Sequence, residues 1–188
     1  MGLRRLVDAA TEPISTAEAK AHLRVTSATD DTLIDGLVKV CRLVAENELR
    51  RSILPQTWQK TLDVFPGAIE LPYPPATSVT SIKYLDSAGV QQTLAATEYT
   101  LDELSEPGWI VPAYNVTWPD TYATINAVEV VYVAGYANAA AVPQSIKQWI
   151  LLHVGHLYEN REATMPGISI TPLPFIGGLL DGYRVVTF

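Results

Sequence analysis

The sequence predicts an α+β fold: a small helical bundle, an inserted and mainly antiparallel β segment, and an extended C-terminal arm. Three observations carry this. Apolar residues recur at helical spacing near 15–23, 30–51 and 143–160; the period changes to two in between; and Ala163 to Leu180 carries no charge but is broken by Pro166, Pro172, Pro174 and three glycines. These patterns divide the chain into a helical core over 1–54 and 143–162, a β insertion over 55–142 and an arm over 163–188.

Ser15-Thr16-Ala17-Glu18 has the form of a capping box and predicts a short helix to about Leu23. After a polar break, Asp30 or Asp31 caps a longer helix to about Arg51, with Leu33, Ile34, Leu37, Val38, Cys41, Val44 and Ala45 at helical spacing. Glu48 falls on the face of Leu37 and Cys41, and Arg51 is its nearest candidate partner. From Thr57, residues Trp58, Lys60, Leu62 and Val64 alternate with Thr57, Gln59, Thr61 and Asp63, as in a strand. Leu71-Pro72-Tyr73-Pro74-Pro75 is extended and leads into a strand from about Val79 to Leu85. Turn chemistry at Asp86-Ser87-Ala88-Gly89 predicts a hairpin to Val90–Leu94, with further strands at Tyr99–Leu101 and Trp109–Val111. Val128–Val133 is apolar on both faces except for Glu129 and should be central. Pro143 opens the last long helix, whose face carries Ile146, Trp149, Ile150, His153, Val154 and Leu157.

With 188 residues, 48% of them hydrophobic and 18% charged, the chain has material for a core without staples. Its single cysteine, Cys41, lies in the helical stripe and is expected to be a buried, inert thiol. Met1 to Asp8 lacks the apolar run of a signal peptide, so the protein is expected to stay where it is made. The net charge of −7 is uneven: residues 1–51 hold eight basic and eight acidic side chains, leaving five and twelve for the remainder. Tyr84 to Ser145 has seven acids and no Lys or Arg, which argues against sequence-specific DNA binding.

No phosphate-cradling loop, nucleophile elbow or His-Glu-x-x-His pair occurs, so no catalytic residue, cofactor site or metal site is predicted. His153, His156 and Glu159 share a helix, but the simpler reading is a core-edge His153 with His156 beside Trp149. Nine Tyr and Trp residues between Tyr73 and Tyr136 read mainly as packing anchors, with Asn115–Thr124 and its Trp118-Pro119 as the loop expected to expose them. An aromatic-rich binding module for peptide or carbohydrate is the alternative reading. The arm, with Ile168, Ile170, Leu173, Phe175, Ile176, Leu179 and Leu180, is too broken to span a membrane and must bury its side chains on its own domain or on another chain. Tyr158, Glu159 and Arg161 mark a helix end whose acids invite a compensating partner. Asp181 and Arg184 restore charge after the arm, as a polar latch would.

Three stretches together resemble the head-to-tail connector (adaptor) proteins of long-tailed, siphovirus-type bacteriophages, in the branch with a β insertion. They are Ile14 to Val25 with Asp30-Asp31-Thr32-Leu33-Ile34; Gln56-Thr57-Trp58 with Leu71 to Val79; and Ala134-Gly135-Tyr136 with Val142 to Leu152 and Tyr158-Glu159-Asn160-Arg161-Glu162. The resemblance covers roughly residues 13–185. One departure stands out, since the family tends to have an aromatic residue and a glycine where Glu48 and Arg50 stand. The resemblance implies a non-enzymatic virion protein, a ring of twelve copies docked on the portal of a DNA-filled head. It further implies a stopper or tail-completion or tail-terminator protein below the ring, and DNA passing through without sequence-specific binding. On that reading the apolar arm grips the portal, and Asp102, Glu103 and Glu106 supply an acidic channel wall.

Overall fold

The computed structural model describes residues 2–160 and 174–185. The chain forms two compact units: a β unit, from residues up to Ala10 with Pro55–Tyr136, and a helical unit, from Thr11–Leu54 with the residues after Tyr136.

The β unit holds two antiparallel sheets. The larger contains β1 (Gly2–Val7), β2 (Gln56–Leu62), β4 (Ala76–Leu85), β5 (Gln91–Thr93) and β8 (Val128–Ala134), in the order β1-β2-β8-β4-β5. The smaller contains β3 (Ile69–Leu71), β6 (Tyr99–Asp102) and β7 (Gly108–Pro112), in the order β3-β7-β6. β8 is the middle strand of five, as its apolar run implies, with Trp58 opposite Tyr132 on one side and Ile82 opposite Val130 on the other. Both sheets feed one core of Trp58, Leu62, Ile69, Leu71, Ile82, Ile110, Val128, Val130 and Tyr132. Tyr132 is fully buried and donates its hydroxyl to the Pro72 carbonyl at 2.6 Å; burial first, then Tyr73 and Glu70, pushes its pKa upward. Lys60 is 6% exposed and donates to the Glu70 carbonyl at 2.6 Å; burial lowers its pKa, against the opposing pull of Glu70.

Residues 2–7 correct the expectation that 1–54 belong to the helical core. They form edge strand β1 on β2, exposed along its length, with Arg5 near the Trp58 ring. Leu3 and Leu6 lie three apart and so show no period-two alternation, and the charges of Arg4 and Arg5 between them are usual on an edge strand.

The helical unit contains α1 (Thr16–Leu23), α2 (Asp31–Leu49), α3 (Gln144–Glu159) and α4 (Pro174–Asp181). The capping box forms as expected: Ser15 Oγ accepts from the Glu18 amide, and Glu18 accepts from the Ser15 amide at 2.8 Å. Those Ser15 bonds lower the Glu18 pKa. α2 and α3 bury Ile34, Val38, Cys41, Ala45, Leu49, Ile146, Trp149, Ile150 and Val154. Arg50, at the position where the resembled family tends to have glycine, ends α2 in the left-handed region at φ 51, a conformation that favours glycine.

At the heart of α2, Arg42 is fully buried. Its guanidinium forks onto Glu12, with Nε at 2.7 Å and Nη2 at 3.3 Å, while Nη1 reaches Glu46 at 3.1 Å. The other Glu46 oxygen accepts from the Ile53 amide at 3.1 Å, which fixes the path of the chain leaving the helix. The expected Glu48–Arg51 pair is replaced: Glu48 is half-exposed and faces Arg184 at 3.7 Å, and Arg51 donates to the Tyr183 carbonyl at 3.1 Å. Arg51, not Glu48, is the buried member of that sequence pair.

The arm is also corrected. Residues 174–181 are helical because Pro174 stands where a missing amide hydrogen costs nothing, and Gly177 and Gly178 within the helix are exposed. α4 packs on α3, Leu180 is 2% exposed, and the Val185 amide donates to the Leu49 carbonyl. Among the described residues, no helix is long and apolar enough to cross a membrane.

Replacing Arg42 by Ala should cost about 3–5 kcal/mol, because Glu12 and Glu46 lose a buried counter-charge. Urea denaturation measures this, and a loss under about 1 kcal/mol would refute it. Gly108→Ala should cost about 1–3 kcal/mol, since a Cβ there would stand 2.8 Å from the Ala76 Cβ and 3.2 Å from the Asp102 carbonyl. An unchanged denaturation midpoint would show that β7 can shift freely.

Candidate functional site

The residues singled out in the sequence fall on separate surfaces. On the helical unit, Tyr158 ties the last turn of α3 to the start of α2 by donating to Asp30 at 2.6 Å, so it is engaged within its own chain. Glu159 is exposed. Arg161, Ile168, Ile170 and Leu173 lie outside the described residues, as do the side chains of Phe175 and Ile176. Leu179 is half-buried, and Leu180 anchors α4 to its own unit rather than standing free for a partner. The polar latch takes a specific form in the Arg184–Glu48 pair, too exposed to contribute more than about 1 kcal/mol.

On the β unit, the acids Asp102, Glu103 and Glu106 gather at the turn between β6 and β7. They are not equivalent. Asp102 builds the turn, accepting from the Leu104 amide at 3.0 Å, the Ser105 amide at 3.2 Å and the Ser105 hydroxyl at 2.6 Å. Those bonds, the Ser105 hydroxyl first, hold its pKa below the ordinary aspartate value. Glu103 and Glu106 are exposed, and Leu104 between them is 96% exposed. Sequence reasoning saw the acids and missed the leucine at the tip.

The aromatic residues are mostly packed. Trp58 stacks on Tyr73 at 4.3 Å, and Phe65 on Trp118 at 4.9 Å. Trp118 is therefore not the exposed centre of its loop; Tyr114, at 93%, and Tyr122, at 50%, are the exposed rings. A concavity of about 410 Å³ at Gly2, Leu3, Arg4, Gln59, Thr61, Asn126 and Glu129 has no aromatic wall of the kind a sugar site would use. His153, not His156, stacks on Trp149, at 3.6 Å, with its Nδ1 at 2.8 Å from the Trp149 carbonyl. Among the described residues, no three His, Cys, Asp or Glu side chains are grouped to hold a metal ion. Burial pushes the Cys41 thiol up to about 11, so it is a packing residue at neutral pH.

No protein-family model matches the chain, and no curated protein matches it in sequence. Its fold, however, is shared along the whole length with chains of solved particles. A chain from the neck of an empty gene transfer agent (GTA) particle, computed with C6 symmetry, superposes with a TM-score of 0.81 at 21% identity, covering 100% of this chain and 97% of the other. A chain from the virion of a native gene transfer agent particle gives 0.80 at 23% identity, with the same coverage. One from the neck of a native particle computed with C12 symmetry gives 0.77 at 21%, again covering 100% and 97%.

Because folding depresses the Asp102 pKa, its hold on the turn is complete above the ordinary aspartate value and is lost as pH falls through the lower, folded value. The Leu104 and Ser105 amide resonances should therefore titrate with a midpoint below about 3.9, and not at all in Asp102→Ala. A midpoint at or above that value would overturn the assignment.

Proposed function

We propose that this chain is a head-tail connector (adaptor) subunit, a structural and non-enzymatic virion protein of a long-tailed, siphovirus-type phage or phage-like particle. Twelve copies form a ring that docks on the portal, joins the DNA-filled head to the tail and leaves a channel for DNA. The observation that carries this reading is the whole-length likeness to chains of particle necks, one of them computed with C12 symmetry. The protein is then found at the head-tail interface, after assembly in the host cytoplasm. Its partners are copies of itself, the portal and a stopper or tail-completion or tail-terminator protein.

Within this reading, Ile168, Ile170, Leu173, Phe175 and Ile176 are the apolar contacts to the portal, while Leu180 secures the segment to its own helical unit. Glu159 and Arg161 contribute a charged helix end to that contact. The β6–β7 turn supplies the acidic wall through Glu103 and Glu106, with Asp102 holding the turn in shape. A wall of like charge repels the phosphate backbone and lets DNA slide without holding it.

Native mass spectrometry of the chain with the portal of its particle should detect twelve copies on one portal ring. Replacing Phe175 and Ile176 by Asp should abolish that complex. A chain that stays monomeric beside the portal would refute the proposal and favour the binding module.

A further inference from the structure

On α2, Leu33, Gly36, Val40, Leu43 and Asn47 follow one another at alternating steps of three and four residues, the spacing of a coiled-coil seam. Leu37 and Val44 widen the same face, with the charges of Lys39 and Glu48 only at its two edges. It is open: Leu33 is 40% exposed, Val40 48% and Val44 44%. Gly36 stands in this stripe at mid-helix, where glycine costs helix stability, and none of the described residues lies within 4 Å of the Cβ it lacks. A seam with a missing side chain suits the close approach of another helix.

The same unit carries a matching surface on the opposite flank of α2. Asp31 and Asp35, which bond to Lys20 and Thr16 of α1, lie across the helix from Leu33 and Val40. There, Ala17, Ala21 and Val25 line an open groove of about 490 Å³ along α1, bordered by Lys20 and Asp31. Those two charges already pair at 2.6 Å, so an apolar ridge entering the groove strands no charge. A ridge on one flank and a groove on the other is the arrangement a head-to-tail contact needs if it is to close into a ring.

We infer that the α2 seam of one copy seats in the α1 groove of the next, forming the subunit contact of the ring. This rests on the ring reading above and names its interface. The seam offers on the order of a few hundred Å², well below the roughly 800 Å² per partner of a stable complex. The contact therefore forms when neighbours are aligned on a platform and does not hold isolated copies together.

The test is disulfide trapping in particles assembled with a Val40→Cys/Ala21→Cys chain; the native Cys41 is buried and does not compete. The expected result is a ladder of linked oligomers that requires both new cysteines. Normal incorporation with no ladder, or linkage through Val40→Cys alone, overturns the inference and leaves the ring reading intact. So does a lowered melting temperature of the isolated Val40→Asp chain, which would mean that the seam is already covered within the chain. Absence of the chain from particles refutes the ring reading, and the inference falls with it. Gly36→Leu gives an opposed pair of signs: it should raise the melting temperature of the isolated chain and reduce its incorporation on the order of tenfold. Undiminished incorporation would remove the seam from the interface.

Discussion

The helical unit depends on keeping one guanidinium satisfied without water. Arg42 is fully buried at mid-α2, so its charge must be balanced by groups brought to it, and Glu12 and Glu46 come from different parts of the chain. Glu12 fixes the segment entering α1. Glu46, through its second oxygen on the Ile53 amide, fixes the exit from α2. A buried pair of this kind is weak evidence for net stability, because desolvation offsets much of the attraction. Its effect is on specificity, since a displaced Glu12 or Glu46 would leave a charge unpaired in the core.

The C-terminal residues depend on that exit. Arg51 and Leu49, held just past Glu46, offer a donor and an acceptor that meet the Tyr183 carbonyl and the Val185 amide. Leu180 then closes over the helical core. The last turns of a segment that composition marks as sticky are thus held by two hydrogen bonds and one buried leucine. An arm held at its far end loses less freedom on docking than one held only at its root.

Periodicity made the main elements legible. The capping box at Ser15, the apolar run at Val128 and the turn residues at Asp86 each act locally, so sequence and structure agree there. Three features were not legible, for physical reasons. β1 is an exposed edge strand with two adjacent charges and no period-two alternation of its leucines, and α4 begins at a proline tolerated in a first turn. Arg42 and Glu12 meet only after folding and are thirty positions apart. The acids at 102–106 were visible as composition, but only the geometry separates the turn-building Asp102 from the exposed Glu103 and Glu106.

α2 shows how one sequence pattern can serve two demands. Its apolar positions read as a single stripe, and the structure divides them. Ile34, Val38, Cys41 and Ala45 are buried against the chain's own helices, whereas Leu33 and Val44 are open to solvent and Leu37 is half-buried. The arc is wider than the chain's own packing uses. A subunit meant to stay folded alone would gain solubility from charge across the open half, and here charge stands only at its edges, at Lys39 and Glu48. The other charges of α2 lie toward its neighbours: Arg42 and Glu46 in the core, and Asp31 and Asp35 bonded to α1. Charge is thus used to define the monomer and kept to the edges of the surface that another copy would cover.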